Sequence, residues 1–260
     1  AVVATLPELM PLDIAQKLLA AGVTPLNGLR EAIAAAQIAA SLKSPSIKAP
    51  LTAWADRDAI LLSESEAKVE LNAYGMKVPK LANDLTNAAA LTGPFAVKGT
   101  GFAHKSDAGA VALNVTQSEL AEAVKNMPGD GVLIEEMITG AVAEILLGIV
   151  RDPAHGFVLT IGAGGVLTEI MQDTISFIVP TSADDIRAGL PHLKSYPLLT
   201  GFRGKPAANI DDLIDAIMAL QSYVVAHSDR IEEVEINPIM CTPAAAIAAD
   251  ALIRIAPERT

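Results

Sequence analysis

The stretch FAVKGTGFAHKSDAGAV, residues 95–111, gathers two lysines, a histidine, an aspartate and three glycines. A lysine beside bare backbone suits a phosphate, and an imidazole beside a carboxylate keeps one ring nitrogen nucleophilic. Lys98 is either an edge-strand lysine with its head in water or a cation aimed into a cleft. His104 is followed by Lys105, Ser106 and Asp107 and is either an exposed loop residue or the nucleophile of such a pair. A second glycine run, GAGGVL, holds Gly162, Gly164 and Gly165. With no Cβ in the way, backbone N–H groups there can approach an anion, although ordinary turns read the same way. In EVEINPIM, Glu235 and Asn237 share one face of a strand, and Asp250 closes AAIAAD. Such hard oxygen donors suit Mg²⁺, which takes one or two carboxylates and completes its shell from water and phosphate. Glu135 and Glu136 interrupt the apolar run GVLIEEM, a pattern that a solvated strand end also gives.

Other phosphate chemistries are excluded. Neither GTGFAH nor GAGGVL has the third glycine of the dinucleotide fingerprint, and no P-loop motif occurs. Four scattered histidines give no zinc spacing, and the single Cys241 cannot form an intramolecular disulfide.

The elements that must position these groups are mixed. Ser63 with Glu66, Thr116 with Glu119 and Ser182 with Asp185 are spaced as capping boxes, and Asn209 precedes an acidic helix start. These predict helices from Glu64, near 120, near 183 and from about 210, the last with Leu213, Ile217, Leu220 and Val224 on one face. Strands are predicted over 95–98, 110–115, 131–137, 144–150, 157–161, 175–179, 234–239 and 246–249. Hairpin-like neighbours argue for α+β lobes over one parallel sheet. The first 42 residues read as two helices, 12–21 with Gly22 as its stop and 28–42, too few for a core of their own. KSPSIKAPLTAWADRD then reads as a linker.

The 260 residues allow one large domain or two modest ones. A net charge of −11 opposes non-specific binding to nucleic acid or anionic membrane, so any phosphate must be held locally. No apolar run approaches the roughly 18 residues that cross a bilayer, and no signal peptide is evident, so a cytoplasmic location is expected. The chain starts at Ala1 instead of Met, which a fragment and a processed product would both give.

Taken in order, the lysine-ended strand, HKSDAGAV, LIEEM, GIVRDP, IGAGGVLTE, YPLLTGFRGKP and EVEINPI with its later Asp resemble the ATP-grasp domain of NDP-forming acyl-CoA synthetases, relatives of succinyl-CoA synthetase. The resemblance runs from about Leu61 to Ile255 and includes the opening helix SEAKVELNAYGMKVP. It implies an α+β (α/β) ATP-grasp fold: residues 61–137 as one lobe, 138–260 as the other, 46–60 as linker, and 1–45 as the helical tail of a flavodoxin-like CoA-ligase segment. It implies conversion of acid, CoA and ATP to acyl-CoA, ADP and phosphate through a phosphohistidine, with ATP/ADP and Mg²⁺ bound here and CoA mainly outside the chain. Lys98 matches the lysine on the nucleotide's phosphates and His104 the phosphoryl acceptor. Glu135, Glu136 and Met137 match the hinge at adenine and ribose, Glu144 a further acid of the cleft, and Asn237 and Asp250 the metal ligands. Gly162, Gly164, Gly165 and Arg203 match motifs near the phosphates. The implied partners are the nucleotide and CoA-binding segments of the same or another polypeptide, in an oligomer without nucleic acid or membrane. The alternative is a non-catalytic or regulatory ATP-grasp module of a protein acyltransferase-type fusion.

Overall fold

The computed structural model describes residues 1–6, 9–41, 51, 58–102, 108–165 and 172–257. The chain divides into two compact units, Ala1–Lys48 and Ala49–Thr260. The first is more than two helices. Strands β1 (Val2–Ala4) and β2 (Pro25–Asn27) pair in parallel, and helices Leu12–Ala20 and Leu29–Ser41 follow them in turn. Strands of three residues carry no periodicity, so the sequence shows only the helices. Gly22, with φ +73°, ends the first helix as expected, and Val23 N–H donates to Leu18 O at 2.8 Å. This helix buries none of its residues, and Leu12, Leu19, Ile33 and Ile38 are all exposed.

The second unit holds two antiparallel sheets. The larger runs β10 (Thr174–Ile178), β9 (Gly156–Ala163), β8 (Ala143–Asp152), β11 (Ile231–Cys241), β13 (Leu252–Ile255) and β3 (Ile60–Leu61), with β12 (Ala246–Ala248) paired to β11. The smaller runs β4 (Leu81–Ala82), β7 (Val132–Glu136), β5 (Phe95–Gly99) and β6 (Val111–Val115). Antiparallel pairing throughout the described part of this unit fits the expected α+β lobes.

Each sheet has its own core. Helix Ile210–Ala226 lays Leu213, Ile217, Leu220 and Val224, all fully buried, against Ile145, Leu147, Ile149 and Ile236 of the larger sheet. Its N-cap is the expected one: Asn209 Oδ1 accepts from Asp212 N–H at 3.1 Å. Helix Glu64–Ala73 joins the same core through Ala67 and Leu71 and begins at a complete Ser63–Glu66 capping box. The smaller sheet closes over Phe95, Val97, Ile134, Val115 and Leu120. Ser182 caps its helix as expected, with Asp185 N–H donating to Ser182 Oγ at 3.1 Å. Thr116 and Glu119 do interact, but Glu119 is itself the N-cap of helix Leu120–Asn126 without a side-chain bond to the helix, so this pair braces the preceding turn. No helix among the described residues is long and apolar enough to cross a membrane.

Candidate functional site

Strand β5 is central in its sheet and buried at every residue. Side chains alternate, so Phe95 and Val97 fill the smaller core while Ala96 and Lys98 face the other way. In β7, Ile134 pairs with Val97 and Glu135 with Ala96, which puts Glu135 on the Lys98 face. That face meets the start of helix Glu64–Ala73, which carries Glu64 and Lys68.

The result is a closed cage of charge. Lys98 Nζ donates to Glu64 Oε1 at 2.6 Å and to the Ala249 carbonyl at 2.6 Å, and lies 2.8 Å from Glu135 Oε2. Lys68 Nζ donates to Glu64 Oε1 at 2.8 Å, to the same Ala249 carbonyl at 2.7 Å, and to Glu135 Oε1. Exposure is 0% for Lys68, 2% for Glu135 and 7% for both Glu64 and Lys98. Removing four ions from water costs several kcal/mol each, so close pairing is required for the arrangement to exist, although Glu64 Oε2 is buried without a hydrogen bond. The two lysines respond differently. Burial pulls the Lys98 pKa down, but the carboxylates of Glu64, Glu135 and Asp250 outweigh it and leave the pKa raised. Burial and the charge of Lys98 leave that of Lys68 lowered.

Ala249 joins this cage to the expected metal ligands. Its carbonyl receives both lysines, its N–H donates to Pro238 O at 3.0 Å, and Asp250 follows it directly. Asp250 Oδ1 accepts from Ala251 N–H at 2.9 Å. Asn237 Oδ1 accepts from Gly165 N–H at 3.0 Å, and Gly164 N–H donates to the Glu144 carbonyl at 2.9 Å. A Cβ on Gly164 would meet Ile145 backbone carbon at 2.7 Å, and Gly165 has φ +73° with the Glu144 carboxylate against it, so both positions exclude a side chain. Glu144, Gly164, Gly165 and Asn237 thus meet where the interior strand β8 begins and β9 ends, beside β11. Gly162 lies on β9 two residues before Gly164, where an added Cβ would meet the Asp173 carbonyl.

Other expected residues are placed elsewhere. Glu136 points away from the cage: its Oε1 accepts from Thr92 N–H at 2.9 Å and lies 3.6 Å from Lys80 Nζ. Met137 N–H donates to Pro94 O at 2.9 Å, and Met137 Sδ accepts from Asn114 N–H at 3.2 Å. Arg203 sits in an exposed turn at φ +49°, its guanidinium 5.3 Å from the Phe202 ring centroid, and is not among the cage contacts. His104, with Lys105, Ser106 and Asp107, lies outside the described residues. Among the described residues no three His, Cys, Asp or Glu converge as a metal set. A 210 Å³ cavity lined by Gly75, Lys77, Asp212, Asp215, Ala216 and Ala246 includes none of these residues; the contacts of Asp212 with Lys77 and Ala246 N–H account for it as a strut.

Sequence reasoning missed Glu64 and Lys68. The signal was present: positions 64, 67, 68 and 71 form one helical stripe, so a stripe that buries Ala67 and Leu71 buries Glu64 and Lys68 as well. The Ala249 carbonyl left no signal, because backbone acceptors are common to all residues.

Comparison with known proteins gives this geometry a context. A model of the ATP-grasp domain matches residues 53–255. The beta subunit of acetate–CoA ligase (ADP-forming) II from Pyrococcus furiosus is 33% identical over 196 residues, covering 68% of this chain and 83% of that protein. The beta subunit of the corresponding ligase I is 33% identical over 210 residues, covering 73% and 90%. Acetate–CoA ligase (ADP-forming) from Methanocaldococcus jannaschii is 32% identical over 198 residues, but the chain covers only 28% of that protein. Among solved structures, dinucleotide-forming acetyl-coenzyme A synthetase 1 of Ca. Korarchaeum cryptofilum, in complex with coenzyme A and Ca-AMPCP, aligns with TM-score 0.69 at 27% identity, covering 75% of this chain and 93% of that one. A second structure of that protein contains coenzyme A and Mg-AMPPCP, with its phosphohistidine segment pointing towards the nucleotide binding site. The chain belongs to the ATP-grasp family, and its fold is that of the ADP-forming acetate–CoA ligase beta subunits it resembles.

Proposed function

We propose that the chain is the nucleotide-binding, phosphoryl-transferring part of an NDP-forming acyl-CoA synthetase. The observation that carries this is Lys98: a buried cation on a central strand, held beside Asp250 and linked through Ala249 and Pro238 to Asn237. A charged lysine next to hard oxygen donors is the equipment for a polyphosphate, where catalysis consists of alignment and charge neutralisation. Lys98 contacts the phosphates, and the backbone at Gly164 and Gly165 approaches them beside Asn237, with Gly162 and Arg203 as outer candidates. Glu136 and Met137 form the adenosine end with the neighbouring backbone of β7. Glu135 and Glu144 fix the charge around the phosphates.

Mg²⁺ fits the donor set, because the Asn237 amide oxygen and the Asp250 carboxylate are hard ligands and the phosphates supply the rest. When bound, it would neutralise charge on the transferring phosphoryl group. His104 accepts that group: a nitrogen–phosphorus bond forms as the bond to the ADP oxygen breaks, and the phosphohistidine is then passed towards the acyl-CoA site. CoA and the acid are held by CoA-ligase segments. Residues 1–48 are read as part of such a segment, supported by the parallel β1–β2 pair and by helices whose apolar side chains are exposed.

Calorimetric titration of the full chain with ADP and Mg²⁺ tests the binding half. Lys98→Ala should weaken affinity by roughly ten- to a hundredfold, the loss of one charge-assisted contact. No affinity in the unmodified chain, or equal affinity in both, would overturn the reading. For the transfer half, the chain combined with CoA-ligase segments is incubated with γ-labelled ATP. An acid-labile, alkali-stable label that survives Ser106→Ala and disappears in His104→Ala is expected, and the reverse pattern would remove His104 from the role.

A further inference from the structure

Each ammonium group has three protons, and each lysine of the cage has three acceptors within 2.8 Å. Lys98 therefore cannot turn to a phosphate without giving up a partner. If Lys98 alone held Glu64 and Glu135, that departure would strand two buried carboxylates, the most costly outcome for such a group. Lys68 prevents it, because it already touches the same Glu64 oxygen, the other oxygen of Glu135 and the same Ala249 carbonyl. The contacts of the two lysines are duplicates, and only Lys98 is on the strand that leads into the glycine- and histidine-bearing segment.

Resting on the nucleotide reading above, we propose that Lys68 and Glu64 are positioning residues that form a charge-exchange cradle. Lys68 keeps Glu64 and Glu135 compensated while Lys98 moves its charge from carboxylate to phosphate, and Glu64 competes with the phosphate for Lys98. The cradle sets how readily Lys98 is released, and so it tunes affinity for the phosphate part of the nucleotide without touching it.

This assigns opposite signs to two neighbours on one helix. Glu64→Gln removes a competitor for Lys98 and should tighten ADP·Mg²⁺ binding by about tenfold, the worth of one charged contact. Lys68→Met leaves two carboxylates for Lys98 alone and should weaken binding by at least a similar factor, about tenfold. The double variant, with one lysine and one glutamate, is again balanced and should return to within about threefold of the unmodified chain, a compensation that purely structural damage does not give. Adenosine, which has no phosphate, should bind all four proteins alike.

The experiment is calorimetry of the full chain and these three variants with ADP·Mg²⁺ and with adenosine, each protein first confirmed folded by circular dichroism. If Lys68→Met does not fold, Glu64→Gln and the balanced double variant still decide the matter. Tightening by Glu64→Gln and recovery in the double variant support the cradle. Weakening by Glu64→Gln, a double variant worse than either single one, or equal changes towards adenosine would overturn it. A chain that binds neither ligand would instead remove the nucleotide reading on which the cradle rests.

Discussion

Helix Ile210–Ala226 buries Leu213, Ile217, Leu220 and Val224 along one face, whereas helix Glu64–Ala73 buries Glu64 and Lys68 beside Ala67 and Leu71 in the same core. The first stripe needs no further reason, because removing apolar area from water stabilises the fold at roughly 25 cal/mol per Å². The second is different. Its four ions hold one another in place, but apolar residues of similar volume would serve the fold as well or better. Burial that stability does not explain points to a task, and here Glu64, Glu135 and Asp250 favour the charged form of Lys98, which suits the proposed role at a phosphate.

The contrast can be broken in order of expected effect. Lys98→Ala, which leaves a buried carboxylate in excess, should cost about 3–5 kcal/mol in urea unfolding. A cost below that of an ordinary surface substitution would mean that the cage is open to water. Leu220→Ala should cost about 2–5 kcal/mol through its cavity while the folded protein keeps its affinity for ADP. A matching loss of affinity would show that the apolar helix is part of the site after all. Replacing the whole cage, with Glu64→Leu, Lys68→Met, Lys98→Met and Glu135→Leu together, should leave stability unchanged or raise it by about 1–4 kcal/mol and abolish nucleotide binding. A large destabilisation would return the cage to a structural role. Smallest in energy, Asp250→Asn keeps the shape and removes a charge, so ADP affinity should respond less to added Mg²⁺, as a titration at several magnesium concentrations would show.

The sequence disclosed those parts of the fold that are decided locally. Ser63, Ser182 and Asn209 cap their helices because a side-chain oxygen and a backbone N–H three residues on meet whatever the surroundings. The long strands were visible from their apolar runs. The two-residue strands β3 and β4 and the short β1 and β2 were not, because they exist only through their partners. The site divides in the same way. Residue type marked Lys98, Asn237, Asp250 and the glycines as candidates, and periodicity placed Glu235 and Asn237 on one face. What escaped was the company Lys98 keeps: Glu64 and Lys68 from a helix 30 or more positions earlier, and a carbonyl from Ala249, brought together only when the two sheets meet.

The most direct measurement is a crystal structure of the chain grown with ADP and Mg²⁺. The account predicts a phosphate oxygen within hydrogen-bond distance of Lys98 Nζ, Mg²⁺ on Asn237 and Asp250, and Lys68 still holding Glu64 and Glu135. A nucleotide bound elsewhere, with Lys98 still engaged by Glu64, Glu135 and the Ala249 carbonyl, would contradict it.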